Sequence, residues 1–149
     1  MTAPDELRPV AEALVVELGG EPIWIPERAR PLYHAALTMG ANYLVTLVND
    51  ATDTLARAGV QPAGRLIAPL LSAALDNALR LGDGAMTGPV SRGDAATVAR
   101  HLETLRREAP DVVPVYVAMA RRTAQPAAQQ SGRLPASRAA DLTAVLESE

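Results

Sequence analysis

The stretch from Gly84 to His101 constrains the chain most: a loop punctuated by Gly84, Gly88, Pro89 and Gly93 that runs straight into a helix. Glycine opens backbone conformations closed to other residues, and Pro89 fixes one φ angle and removes a donor. Asp94 stands where an N-cap belongs, its carboxylate able to accept from the free N–H groups of the first turn. Val98, Leu102, Leu105 and Ala109 follow at helical spacing and give that helix a core face. Thr87, Arg92 and Asp94 lie together on backbone with little freedom, where binding groups tend to sit. Two readings are open at this point: a capped connection between core helices, or a binding loop.

Apolar rows at helical spacing recur on both sides of the loop. Asp5 to Leu18 predicts a helix with Val10, Leu14 and Leu18 on one face, stopped by Gly19 and Gly20. Pro22 to Pro26 predicts one short strand, whose backbone groups need a ladder partner that no other segment supplies. Arg28 to Ala58 predicts a single helix of roughly 45 Å, with Leu32, Ala36, Met39, Tyr43, Leu47 and Leu55 as its core stripe. Another face of it carries His34, Thr38, Asn42, Asn49 and Asp53, which fall within an arc of roughly 100°. Asp53 reads as solvent-facing. His34 and Asn42, flanked by Ala35, Ala41 and Val45, read either as solvent-facing or as a partly buried, hydrogen-bonded ridge.

Pro62 to Leu81 predicts the next helix, with Leu66, Leu70, Ala74 and Leu81 in register and Pro69 kinking or splitting it. Asn77 lies in the apolar row, which predicts an inward amide with an interhelical hydrogen bond. His101 borders the core stripe of the helix after the loop. Asp111 is placed to cap a further helix running to about Ala124, with Val112, Val115, Tyr116 and Met119 inward. Residues 125–135 read as a linker or loop, and Ala136 to Leu146 as a last amphipathic helix.

Composition narrows the function classes. A chain of 149 residues fits one domain, and with 48% hydrophobic residues, much of it alanine and no Phe, its helices must approach closely. All 14 basic residues are arginine and the net charge is −3, which argues against a nucleic-acid surface. The absence of Cys excludes disulfides, thiolate metal sites and a cysteine nucleophile, and two distant histidines argue against a metal site. No apolar run of about 18 residues predicts a membrane span, and no secretory pattern opens the sequence, so a cytoplasmic protein is expected.

The run Thr87-Gly88-Pro89-Val90-Ser91-Arg92-Gly93-Asp94 with Arg100-His101-Leu102 resembles the signature of a bacterial family. These are Rossmann-like NAD(P)-dependent oxidoreductases whose C-terminal half is the domain of unknown function 2520. Tyr33-His34-Ala35-Ala36 and Asn42-Tyr43-Leu44 match further upstream, in the family's order, so that the likeness spans about Leu18 to Arg122. The resemblance implies an all-α, 6-phosphogluconate dehydrogenase C-terminal-like helical domain, related to those of ketopantoate and pyrroline-5-carboxylate reductases. It also implies that the short strand is left from a Rossmann-type unit.

On that resemblance residues 1–26 are expected to be a remnant helix–strand unit of a dinucleotide-binding domain. Residues 27–124 are expected to form the helical dimerisation and substrate domain, and residues 125–149 a flexible linker and C-terminal helix. The parent would be an NADP- or NAD-dependent reductase of a small keto or imino acid. His34 and Asn42 are its catalytic candidates, for polarising and donating. Thr87, Arg92 and Asp94 are the substrate-binding candidates, arginine suiting a bidentate carboxylate. The chain has no Lys, so a lysine-dependent mechanism would need another donor. The expected partners are a second copy and a Rossmann domain missing from this chain, with no cofactor bound to, and no activity from, the chain alone. The alternative is a stand-alone helical module that dimerises or binds a small acid without catalysis.

Overall fold

The computed structural model describes residues 1–129 and 134–147, and among them the chain is all-α, with no strand. It divides into two units, Met1–Val48 and Asn49–Glu149.

The first unit begins with a 3-10 turn, Asp5–Leu7, leading into α1 (Arg8–Glu17). Gly19, at φ 76°, ends α1 in the left-handed region, and the Gly20 N–H reaches back to the Val15 carbonyl at 2.9 Å. This paired stop satisfies carbonyls that the helix end would otherwise leave open. The segment Pro22–Pro26 is extended but forms no strand, contrary to the sequence expectation. Its backbone partners lie at residues 1 and 2: the Ile25 N–H donates to the Met1 carbonyl at 3.0 Å, and the Met1 amino group donates to the Ile23 carbonyl. These bonds tie the segment to the N-terminal residues without forming a ladder. Trp24 ties it to α1, its indole N–H donating to Glu12 at 2.6 Å while the Arg8 guanidinium lies 4.5 Å over the ring.

A 3-10 turn, Glu27–Ala29, then opens α2 (Arg30–Thr38), which passes through a π-helical turn, Met39–Tyr43, into α3 (Leu44–Arg57). The single regular helix expected from the spacing is therefore interrupted. A π turn inserts about one extra residue, so side chains before and after it no longer share the face that uniform spacing predicts. No residue of the first unit is fully buried.

The second unit holds the core. After α4 (Ala63–Leu81) and a 3-10 turn, Gly82–Ala85, the expected loop contains a one-turn helix α5 (Pro89–Arg92). Then come α6 (Ala95–Glu108), a 3-10 turn Pro110–Val112, α7 (Val113–Gln129) and α8 (Ala136–Glu147). Val98, Leu102, Val117, Ala120, Leu142 and Leu146 form the buried cluster, drawn from α6, α7 and α8. The inward residues of α7 are thus Val117 and Ala120, whereas Val115 and Met119 are exposed. Close approach of the three helices favours alanine on the inner face and turns the bulkier Met119 outward. Helix α7 also continues through Gln129, into the stretch expected to be a linker; the rest of that expectation, residues 130–133, lies outside the described residues.

Two polar expectations change as well. Asp111 does not cap the following helix; its carboxylate takes a two-pronged bond from Arg57, at 2.6 and 2.9 Å. Asn77 is half-buried and accepts from Arg80 of its own helix at 2.9 Å, in place of an interhelical bond. Pro69 neither splits α4 nor ends it, and the helix simply forgoes one bond to the Arg65 carbonyl.

Helix α4 has an unusual exposure. Its uncharged residues cover an arc of roughly 220° at about 100° per residue, from Leu66 round to Leu79. Leu66, Leu70, Leu75, Leu79 and Leu81 are all more than half exposed, Leu79 at 80%. Burying one leucine fully is worth about 1.5–3 kcal/mol, so five left out forgo on the order of 5 kcal/mol, comparable with the whole stability of a small domain.

Candidate functional site

The catalytic candidates lie in the first unit. His34, on α2, lines a cleft of about 360 Å³ together with Met1, Thr2, Ile25, Arg30 and Tyr33. Arg30, Tyr33 and His34 stand at i, i+3 and i+4, one above another on a helix face, and this places a cation, a phenol and an imidazole along one wall. The other wall is the extended segment at Ile25 with residues 1 and 2, joined by the Thr2 hydroxyl donating to the Ile25 carbonyl at 3.5 Å. Arg30 also pairs with Glu27 one turn earlier, at 3.5 Å, which orients the guanidinium. His34 is exposed, so of the two readings left open for it the buried ridge is excluded.

Asn42 sits in the π-helical turn, also exposed, its carbonyl accepting from the Thr46 hydroxyl at 3.3 Å. Such turns occur often at functional sites. Thr38, between the two candidates, is half-buried. Asn49 and Asp53 belong to the second unit, and Asp53 is exposed as expected.

The substrate-binding candidates Thr87, Arg92 and Asp94 belong to the second unit. Thr87 and Arg92 are exposed. Asp94 caps α6 as its position predicts: one oxygen accepts from the Thr97 N–H at 3.0 Å and the other from the Thr97 hydroxyl at 2.8 Å. The hydroxyl bond first, then the backbone bond, hold the Asp94 carboxyl below its usual range; Arg100 and Arg92 add a smaller pull. Arg100 in turn donates to the Thr97 hydroxyl at 3.0 Å. Both Asp94 oxygens therefore accept bonds within the cap, and Arg92 is an exposed cation beside it.

The glycines of the motif have structural work. Gly88 at φ 98° and Gly93 at φ 67° take conformations that side chains disfavour. Gly93 is buried, and a Cβ there would lie 2.3 Å from Leu134 Cδ1 and 2.8 Å from Arg138 Cβ. Ser91 is buried too, its hydroxyl donating to the Gly88 carbonyl at 3.1 Å, and Val90 packs against the core. The motif thus docks α5 on the core while leaving Arg92 outside.

Sequence reasoning missed two arrangements. Arg30 and Tyr33 join His34 in one cleft, and their i, i+3, i+4 spacing was the signal. His101 Nδ1 lies 2.9 Å from the Tyr116 hydroxyl, a pairing of two helices that spacing within either one does not reveal. Burial raises the Tyr116 phenol above its ordinary value. Among the described residues no cluster of His, Asp and Glu could hold a metal ion, and no helix is long and apolar enough to cross a membrane.

Fold and sites together define an all-α protein whose motif loop is built into a three-helix core. The chain belongs to the family described as domain of unknown function 2520, whose model matches residues 1–123. That match takes in the N-terminal segment and the cleft, and ends within α7. No curated protein and no solved structure matches the chain.

Proposed function

We propose that this chain is the substrate-binding and dimerisation half of an NAD(P)-dependent reductase acting on a small keto or imino acid. The observation that supports it best is the cleft on α2, where Arg30, Tyr33 and His34 present a cation, a phenol and an imidazole to one small volume. A keto acid needs a partner for its carboxylate and a hydrogen-bond donor at the oxygen to be reduced. Arg30 suits the first as a planar fork, and the His34 ring N–H suits the second. Asn42, in the next turns of the same stretch, is a further donor, and Arg92 is a second candidate for the anionic group.

The nicotinamide cofactor enters this reading from another domain. The regular structure of the described residues is all helical, so in this reading the sheet switch point that holds a pyrophosphate belongs to that other domain. The second reading is a stand-alone helical module in a 6-phosphogluconate dehydrogenase C-terminal-like arrangement that dimerises or binds a small acid without catalysis. Joining the chain to a dinucleotide-binding domain and following NADPH oxidation over a panel of small keto and imino acids separates the two. Turnover that depends on His34 supports the reductase; cofactor binding with no turnover on any acid sinks it.

A further inference from the structure

Helix α4 carries an apolar face that nothing in its own unit covers. Among the described residues of the second unit, the one element with which α4 makes more than isolated contacts is the turn Gly82–Ala85 that follows it in sequence. Leu66, Leu70, Ala74, Ala78 and Leu81 are exposed and share one side of the helix, spaced three and four apart as in a helix–helix seam. A helix apolar over so wide an arc belongs inside an assembly, with neighbours on more than one side.

The row is matched to itself. Turned end for end about a two-fold axis beside residue 72, it sets Leu70 opposite Ala74 and Leu66 opposite Ala78. Large side chains then meet small ones at both ends, the condition for two helices to interdigitate. No charged residue lies on this side. Asp76 and Arg80 sit on the opposite one, where they pair with each other at 3.0 Å. In this register neither Arg65 nor Arg80 meets another arginine, and Asp76 meets no acid. A foreign partner requires no such symmetry, whereas an isologous contact does.

We propose that α4 packs antiparallel against α4 of a second copy, with Leu66 and Leu70 as its anchors. This rests on the reading of the chain as a dimerisation half, and it names the seam. The chain has no Cys, so introduced thiols report cleanly. The test uses Leu70→Cys and Ala74→Cys as separate proteins, mixed after mild unfolding and refolding, then oxidised. The mixture should give a covalent dimer several times faster than either protein alone. Leu70→Glu, checked for native helix content by circular dichroism, should weaken self-association at least about thirtyfold by analytical ultracentrifugation.

A dimer that persists in Leu70→Glu, with no preferential crosslink in the mixture, overturns the α4 seam and leaves the dimerisation reading standing. A monomer in the unmodified chain at high micromolar concentration, with α4 amides protected from hydrogen exchange, overturns both. The crosslinking result decides the matter if Leu70→Glu fails to fold.

Discussion

His101 Nδ1 and the Tyr116 hydroxyl are 2.9 Å apart, with the two rings edge to face at 83° and their centroids 6.0 Å apart. The contact joins α6 to α7 beside the buried cluster, where Tyr116 packs on the core. Tyr116→Phe keeps the ring and removes the bond. It should cost about 0.5–1.5 kcal/mol in urea unfolding at neutral pH, the usual net worth of one such bond. Burial raises the Tyr116 phenol in the folded chain. The unfolded tyrosine therefore ionises first, and stability that is complete below its pKa of about 10 declines as pH rises through the folded value. Tyr116→Phe should flatten that alkaline decline, while an unchanged slope would show that the phenol does not contribute.

Asp94 gives the opposite sign. Its carboxyl is held low by the Thr97 hydroxyl and, less strongly, by the Thr97 N–H. The stabilisation is present above the ordinary carboxylate pKa of about 4 and is lost as pH falls through the lower folded value. Asp94→Ala should lower the melting temperature by a few degrees at pH 7 and remove part of the acid decline below about pH 4. Asp94→Asn, which still accepts at the cap, should lose less at pH 7. Equal losses for the two would mean that the negative charge matters more than the cap bond.

Gly93→Ala meets two penalties together, a left-handed φ of 67° and a Cβ within 2.3 Å of Leu134 Cδ1. About 2–6 kcal/mol of destabilisation is expected, since strain and overpacking each cost about 1–3. Leu134→Ala clears the nearer contact, so the double variant should recover part of the loss and the cycle should be non-additive. Additive effects would place the cost in the backbone and the Arg138 contact, and none of it at Leu134.

Helices α1, α4 and α6 were legible because each carries a clean apolar row between recognisable ends: glycine stops after α1 and α4, and the Asp94 cap and Pro110 around α6. Val98 and Leu102 were found from spacing alone, and so was the cap at Asp94. The π turn at Met39–Tyr43 was not legible, because counting at uniform spacing assumes the regularity that the turn breaks. The pairing of Ile23 and Ile25 with residue 1 joins segments more than twenty residues apart, as Arg57 with Asp111 joins segments more than fifty apart. No local pattern carries such contacts. In the α2 cleft, the polar helix face and the resemblance pointed to His34. Arg30 and Tyr33, although spaced i, i+3 and i+4 with it, gained meaning only once the cleft set them along the same wall.

The last helix is part of the core although the family match ends before it. Leu142 and Leu146 of α8 are 1% and 2% exposed against α6 and α7. Leu142→Ala should cost about 2–5 kcal/mol, the range for emptying a well-packed leucine site. Removing α8 altogether should unfold the second unit, as read by loss of cooperative thermal unfolding. A truncated chain with an unchanged transition would show that α6 and α7 suffice.

The proposed chemistry separates into effects on turnover and effects on binding, measured in the chain joined to a dinucleotide-binding domain. His34→Ala or Asn42→Ala should lower kcat by roughly ten- to a thousandfold, the range for losing one donor to the developing charge. Arg30→Ala should mainly raise KM for an acidic substrate, because a carboxylate contact is made in the ground and transition states alike. Arg92→Ala, in the other unit, makes the comparison informative: a KM effect confined to Arg30 assigns the carboxylate to the α2 cleft, and one confined to Arg92 assigns it to the motif loop. Circular dichroism guards against unfolding, since Arg92 lies beside the Asp94 cap and Arg30 pairs with Glu27. If His34→Ala and Asn42→Ala keep full turnover while folded, the α2 cleft is not the catalytic site, and a small-acid-binding module becomes the better description.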